Sequence, residues 1–138
     1  MREILFRGKS VNNGEWAEGF LVIDTIFCED AVPVKHYHID EMNLGTFPVE
    51  FQSGISETVD PETVGQFTGM TDKNGKKIFE GDICKHRSNY SGDFIISVVT
   101  FTDGQFLAMA DNNSGFNLSD KLEVIGNIHD NPELLEVK

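Results

Sequence analysis

His36-Tyr37-His38 places two imidazoles two positions apart. On an extended strand alternate side chains share a face, so both rings can address one metal ion or one partner. Two ligands fall short of the three or four that a protein metal site uses, and no spacing singles out a third among His86, His129, Cys84 or the carboxylates. The expectation is no metal and no other cofactor, with His36 and His38 on an exposed edge strand or facing a partner. Cys84 and His86 stand in the same i, i+2 relation, and a thiolate beside an imidazole is the arrangement of a cysteine nucleophile. No nucleophile-elbow motif, glycine-rich helix start or orienting Asn or Asp at a diagnostic position accompanies the pair. Cys84 reads as a small core residue, and the chain reads as a non-enzyme with no catalytic residues.

Asp72-Lys73-Asn74-Gly75 has the flavour of a calcium loop. Aligning Gly75 with the invariant glycine of that loop puts Met70 and Gly81 where the first and last ligands belong, so a hairpin explains these residues better. Between Pro61 and Gly92 the charges are locally balanced, with Lys73, Lys76, Lys77, Lys85 and Arg87 against Glu62, Asp72, Glu80 and Asp82. These five cations form the candidate face for a partner, on what is otherwise a solvated hairpin surface. No phosphate-loop or dinucleotide signature is present, and the single Trp16 reads as a packed residue at the start of a strand.

The chain as a whole opposes polyanions. It holds 138 residues with 23 acids against 11 bases, a net charge of -12 and a pI near 4.5. Residues 1–60 hold 11 acids and 4 bases and residues 61–138 hold 12 and 7, so neither half is a hidden basic module. Direct nucleic-acid binding and attraction to an anionic membrane are disfavoured. No apolar run reaches membrane-spanning length and the opening residues lack a signal-peptide core, which points to a cytoplasmic protein. Cys28 and Cys84 are too few for a disulfide framework and read as reduced thiols.

Short runs rich in Val, Ile, Phe and Thr recur between turn residues, and helical periodicity is scarce, so the fold class is mainly β. Strands are expected at Glu3 to Arg7, Trp16 to Thr25, Val32 to Ile39, Val64 to Thr68, Lys77 to Phe79, Asp82 to His86, Phe94 to Phe101, Gln105 to Ala110 and Leu122 to Gly126. The run at Phe94 to Phe101 is apolar at nearly every position and should be a central strand covered on both faces. Asn74-Gly75 and Asp103-Gly104 each fit a type I′ hairpin turn, and Gly69, Gly75 and Gly81 suit positive φ or close backbone approach. Asn131-Pro132-Glu133 opens a short terminal helical turn. The stretch from Leu44 to Thr63 reads as a connection, dividing the chain into an N-terminal β portion over 1–60 and a compact unit over 61–138.

Two blocks carry a resemblance to a known family. Val64-Gly65-Gln66-Phe67-Thr68-Gly69-Met70-Thr71-Asp72-Lys73-Asn74-Gly75-Lys76-Lys77-Ile78-Phe79-Glu80-Gly81-Asp82-Ile83-Cys84-Lys85 and Leu122-Glu123-Val124-Ile125-Gly126-Asn127-Ile128-His129-Asp130-Asn131-Pro132-Glu133-Leu134-Leu135 resemble the signature of the YopX family of phage and prophage proteins. The opening Ile4-Leu5-Phe6-Arg7-Gly8-Lys9 is similar to that family's starting strand, whereas Phe20 to Thr58 carries little of the likeness and Cys84 replaces an expected aliphatic residue. The resemblance implies a small SH3-like β-barrel in the C-terminal part, a phage or prophage origin and no assigned activity.

The functional expectation is a non-enzymatic protein-binding or oligomeric accessory module whose protein partner is unidentified. Alternatives are an acidic mimic of DNA that blocks a host DNA-binding protein, and nucleic-acid binding through the Lys73 to Arg87 face. Val32 to Ile39 has the proline, lysine and polar alternation of an edge strand, so a homo-oligomer joined through the N-terminal portion is expected.

Overall fold

The computed structural model describes residues 5–27, 33–40, 56–88, 91–111 and 114–135. They form two antiparallel β-sheets with short 3-10 turns, which agrees with the mainly β expectation. Cys28 and the first residues of the expected opening strand lie outside them. Among the described residues no helix is long and apolar enough to cross a membrane. The chain divides into two compact units, Ile4–Gln66 and Phe67–Lys138.

In the first unit β1 (Phe6–Lys9) pairs with β2 (Trp16–Phe27), which pairs along eight positions with β3 (Pro33–Asp40), and β3 with β4 (Ser56–Thr58). Strand β4 lies within the stretch assigned above to a connection; three residues paired to a neighbour carry too little pattern to be read locally. Ala17, Ile39 and Val59 are buried together beneath Phe6, Leu21, Tyr37 and Val64. A Cβ on Gly8 would sit 2.9 Å from Val59 Cβ, so the glycine is what lets β1 approach that core. The 3-10 turn Pro61–Thr63 is capped by Asp60, whose Oδ1 accepts from Glu62 N, and its Thr63 Oγ1 accepts from Lys9 N at 2.8 Å. Trp16 starts β2 as expected, with the Arg7 guanidinium 4.7 Å from its ring centre.

Strand β5 (Gly65–Thr71) begins in the first unit and ends in the second. Its later part pairs irregularly with β6 (Lys77–Phe79), and Gly69, at φ 90°, lies in the irregular stretch. Then follow β7 (Asp82–Arg87), β8 (Phe94–Thr102), β9 (Gln105–Met109), β10 (Gly115–Asn117), β11 (Glu123–Asn127) and the 3-10 turn Pro132–Leu135. The last five strands form one sheet in the order β10-β9-β8-β7-β11. Among the described residues no ladder joins β10 to β11, so the sheet is not a closed barrel. Ile78, Cys84, Val99, Ala108 and Leu122 make its core, with Phe116, Leu118 and Val124 packed against them.

Strand β8 is central, but its two faces are unequally covered. Ser97 and Val99 are buried while Phe94 and Ile96, pointing the other way, are 57% and 36% exposed. The Asp103-Gly104 turn is as expected, with both residues at positive φ. The Asn74-Gly75 turn is not type I′. Only Gly75 has positive φ, Gly75 N donates to Asp72 O, and Asp72 N donates to Lys76 O, so Lys73 and Asn74 are the central pair and Gly75 is the left-handed residue that follows. The Asp72 carboxylate sets this choice, because its Oδ1 accepts from the backbone N–H of both Asn74 and Lys76.

Candidate functional site

Alternation along the strands decides what faces inward at one end of the five-strand sheet. On β7, Cys84 and His86 share the inner face, and opposite them stand Ser97 and Ile95 of β8. The buried Cys84 thiol is pushed up to about 12 by desolvation and by the nearby Asp82 and Asp72 carboxylates. That holds it as a neutral thiol at physiological pH, so the Cys84–His86 pair supplies no thiolate. His86 instead meets Phe116 edge to face, with ring centres 4.8 Å apart, and its Nδ1 is buried with no hydrogen-bond partner among the described residues.

Above this pair the surface opens into a recess of about 520 Å³. His86, Ile95, Phe116 and Leu122 give it an apolar floor continuous with the core. Arg87, Ser88, Asn117, Ser119 and Lys121 line the rest, bringing cations, hydroxyls and an amide but, among the described residues, no carboxylate. The volume and the mixture of apolar floor with a few polar groups are those of a binding pocket.

The five cations of the candidate face are only partly gathered. Lys73 Nζ and Lys85 Nζ approach the same Glu123 Oε1, at 3.5 and 3.6 Å. The Lys85 ammonium and the Arg87 guanidinium each lie 5.0 Å from the centre of the Phe94 ring on the outer face of the sheet. Lys77 lies apart, its Nζ 6.0 Å from the Phe67 ring, and exposed Lys76 acts on Asp72. Of the five, only Arg87 reaches the recess.

His36 and His38 stand in β3 opposite Asp24 and Val22, so the strand expected to carry them is present. His38 is half-buried, and the His36 side chain lies outside what the structure describes. Among the described residues no cluster of three His, Cys, Asp or Glu side chains could hold a metal ion. The turn residues Asn74, Gly75, Asp103 and Gly104 sit in hairpins and Gly81 in the turn between β6 and β7, and none of them lines this recess; Gly81, at φ 92°, donates to Val99 O and accepts from Ile128 N.

Sequence reasoning missed Ile95, Phe116, Ser119 and Lys121 as site residues. They come from two strands and one connection, and no fixed spacing marks them. The one local signal is the alternation Phe116-Asn117-Leu118, which could have shown that β10 turns Phe116 inward.

Compared with known proteins, the chain matches the family described as YopX protein over residues 6–136. Among solved structures it is similar to protein EF1440 from Enterococcus faecalis, at 25% identity and a TM-score of 0.53, covering 99% of this chain and 100% of that one. It is also similar to protein yopX from Bacillus subtilis, at 17% identity and a TM-score of 0.53, covering 100% of this chain and 99% of that one, a likeness of fold alone. No curated protein matches the chain.

Proposed function

The chain belongs to the YopX family, and from that premise we propose that it is a non-enzymatic protein-binding or oligomeric accessory module, encoded by a phage or an integrated prophage and acting in the host cytoplasm. The observation that carries a binding role is the recess at the end of the second unit, with its aromatic floor and polar rim. We read that unit as a small SH3-like barrel left open between β10 and β11, in which such an end is a natural place for a partner. The open stretch of β3 supports the oligomeric part. Among the described residues Pro33–His36 pair with β2 alone, whereas His38 to Asp40 also pair with β4.

The test fills the recess without touching the core. Ser119→Trp places a large ring at the rim, and affinity capture from prophage-carrying cells is compared between this variant and the original chain at matched melting temperature. A partner held by the original and lost by the variant is the expected result. Undiminished capture by the filled recess would overturn the assignment.

A further inference from the structure

The recess differs in charge from the chain around it. In a protein with 23 acids, none of the described residues lining the recess is a carboxylate, while Lys121 and Arg87, whose guanidinium turns to the Phe94 ring beside the recess, are cations. The surface beside it continues the theme. Arg87 ends β7, and its guanidinium shares the exposed Phe94 ring with the Lys85 ammonium, next to exposed Ile96. Positive charge and apolar surface thus run together from the recess past the end of β7.

Building on the binding role proposed above, we propose that the recess receives an aromatic side chain from a partner protein, in a segment whose neighbouring residues are acidic. The ring packs against Phe116 and His86, which already favour edge-to-face geometry, and the carboxylates meet Lys121 and Arg87. A nucleic acid suits the surface less well. Every added phosphate meets the field of a chain at net charge -12, and Glu123 sits within 3.6 Å of both Lys73 and Lys85, in the path a backbone would follow. A segment with a few carboxylates feels less of that repulsion and adds the burial of its ring.

The experiment measures fluorescence anisotropy of the full chain with a labelled peptide in which one phenylalanine is flanked on each side by two glutamates. A glutamine twin of that peptide and a short single-stranded DNA and RNA serve as competitors for the assignment. The acidic peptide should bind roughly tenfold more tightly than its twin in low salt, with the gap closing as salt rises. Lys121→Glu should remove that preference, and Ser119→Trp should remove binding of both peptides, each at an unchanged melting temperature. Equal binding of the two peptides overturns the acidic assignment and leaves the recess as a binding site. Binding of neither peptide, while host capture still depends on Ser119, overturns the inference alone; loss of that dependence overturns the binding role as well. Tighter binding of either oligonucleotide than of the acidic peptide overturns it in favour of nucleic acid.

Discussion

Asp72 Oδ2 accepts a hydrogen bond from Val124 N at 2.9 Å, joining the β5–β6 turn to the edge strand β11 across 52 positions of sequence. The other oxygen of the same carboxylate holds Asn74 N and Lys76 N. One buried side chain therefore shapes a turn and occupies a backbone donor on the sheet edge, where an open N–H would invite pairing with another chain.

Replacing Asp72 by Ala leaves three backbone donors without their acceptor, and the expected cost is about 3 kcal/mol. Urea unfolding of the two chains measures it. A loss under about 1 kcal/mol would mean that water replaces the carboxylate at little cost.

The same carboxylate gives stability a pH dependence. Burial works to raise its pKa, but the N–H groups of Val124, Lys76 and Asn74, helped by the Lys76 ammonium, outweigh burial and hold it below the ordinary 3.8. The unfolded chain then takes up the proton first, so the contribution is complete above the ordinary value and is lost as pH falls through the folded one. Between about pH 5 and pH 2 the original chain should lose more stability than Asp72→Asn. Parallel stability curves for the two proteins would count against the assignment.

Gly126 is required by close approach. A Cβ there would lie 2.5 Å from Asn131 Oδ1, which accepts from Asn127 N at 3.2 Å. Gly126→Ala should cost about 1–3 kcal/mol by displacing Asn131, and adding Asn131→Ala should recover part of that loss. Strict additivity in a double-mutant cycle would show that the two residues do not meet.

These particulars show what the sequence made legible. Gly69, Gly75 and Gly81 were readable as backbone devices because the demand for positive φ restricts residue type, and all three adopt it. Gly14, at φ 73°, shares that demand but sits in a polar loop with no pattern to reveal it. The Asn74-Gly75 turn type was misjudged because a side chain outside the pair, Asp72, decides it. Strands β4 and β10 escaped notice because three residues hold their shape through neighbours such as Asp40 and Met109, and the recess escaped with β10. The exposed Phe94 was hidden in a run whose composition does not say which face is covered.

Cys84 should resist alkylation in the folded protein. Its thiol is buried and held near 12, so at about pH 8 only a minute fraction is thiolate. Iodoacetamide labelling followed by peptide mass spectrometry, which separates it from Cys28, should find Cys84 modified at a rate limited by opening of the fold. Labelling as fast as in urea would remove the argument that the Cys84–His86 pair lacks a nucleophile.

The final expectation concerns assembly. Pro33 cannot donate to a ladder and Pro33–His36 pair on one side among the described residues, so this part of β3 has the features of an edge that a second chain can extend. Two-fold pairing of such edges would join copies into a closed dimer. Sedimentation at micromolar concentration should therefore give a multiple of 15.4 kDa. Replacing Lys35, whose N–H points to the same side as the Tyr37 carbonyl that accepts from Val59 N and so away from β2, by a second proline should shift the equilibrium toward the single chain. A 15.4 kDa species at every accessible concentration would reject the assembly and leave the edge protected by other means.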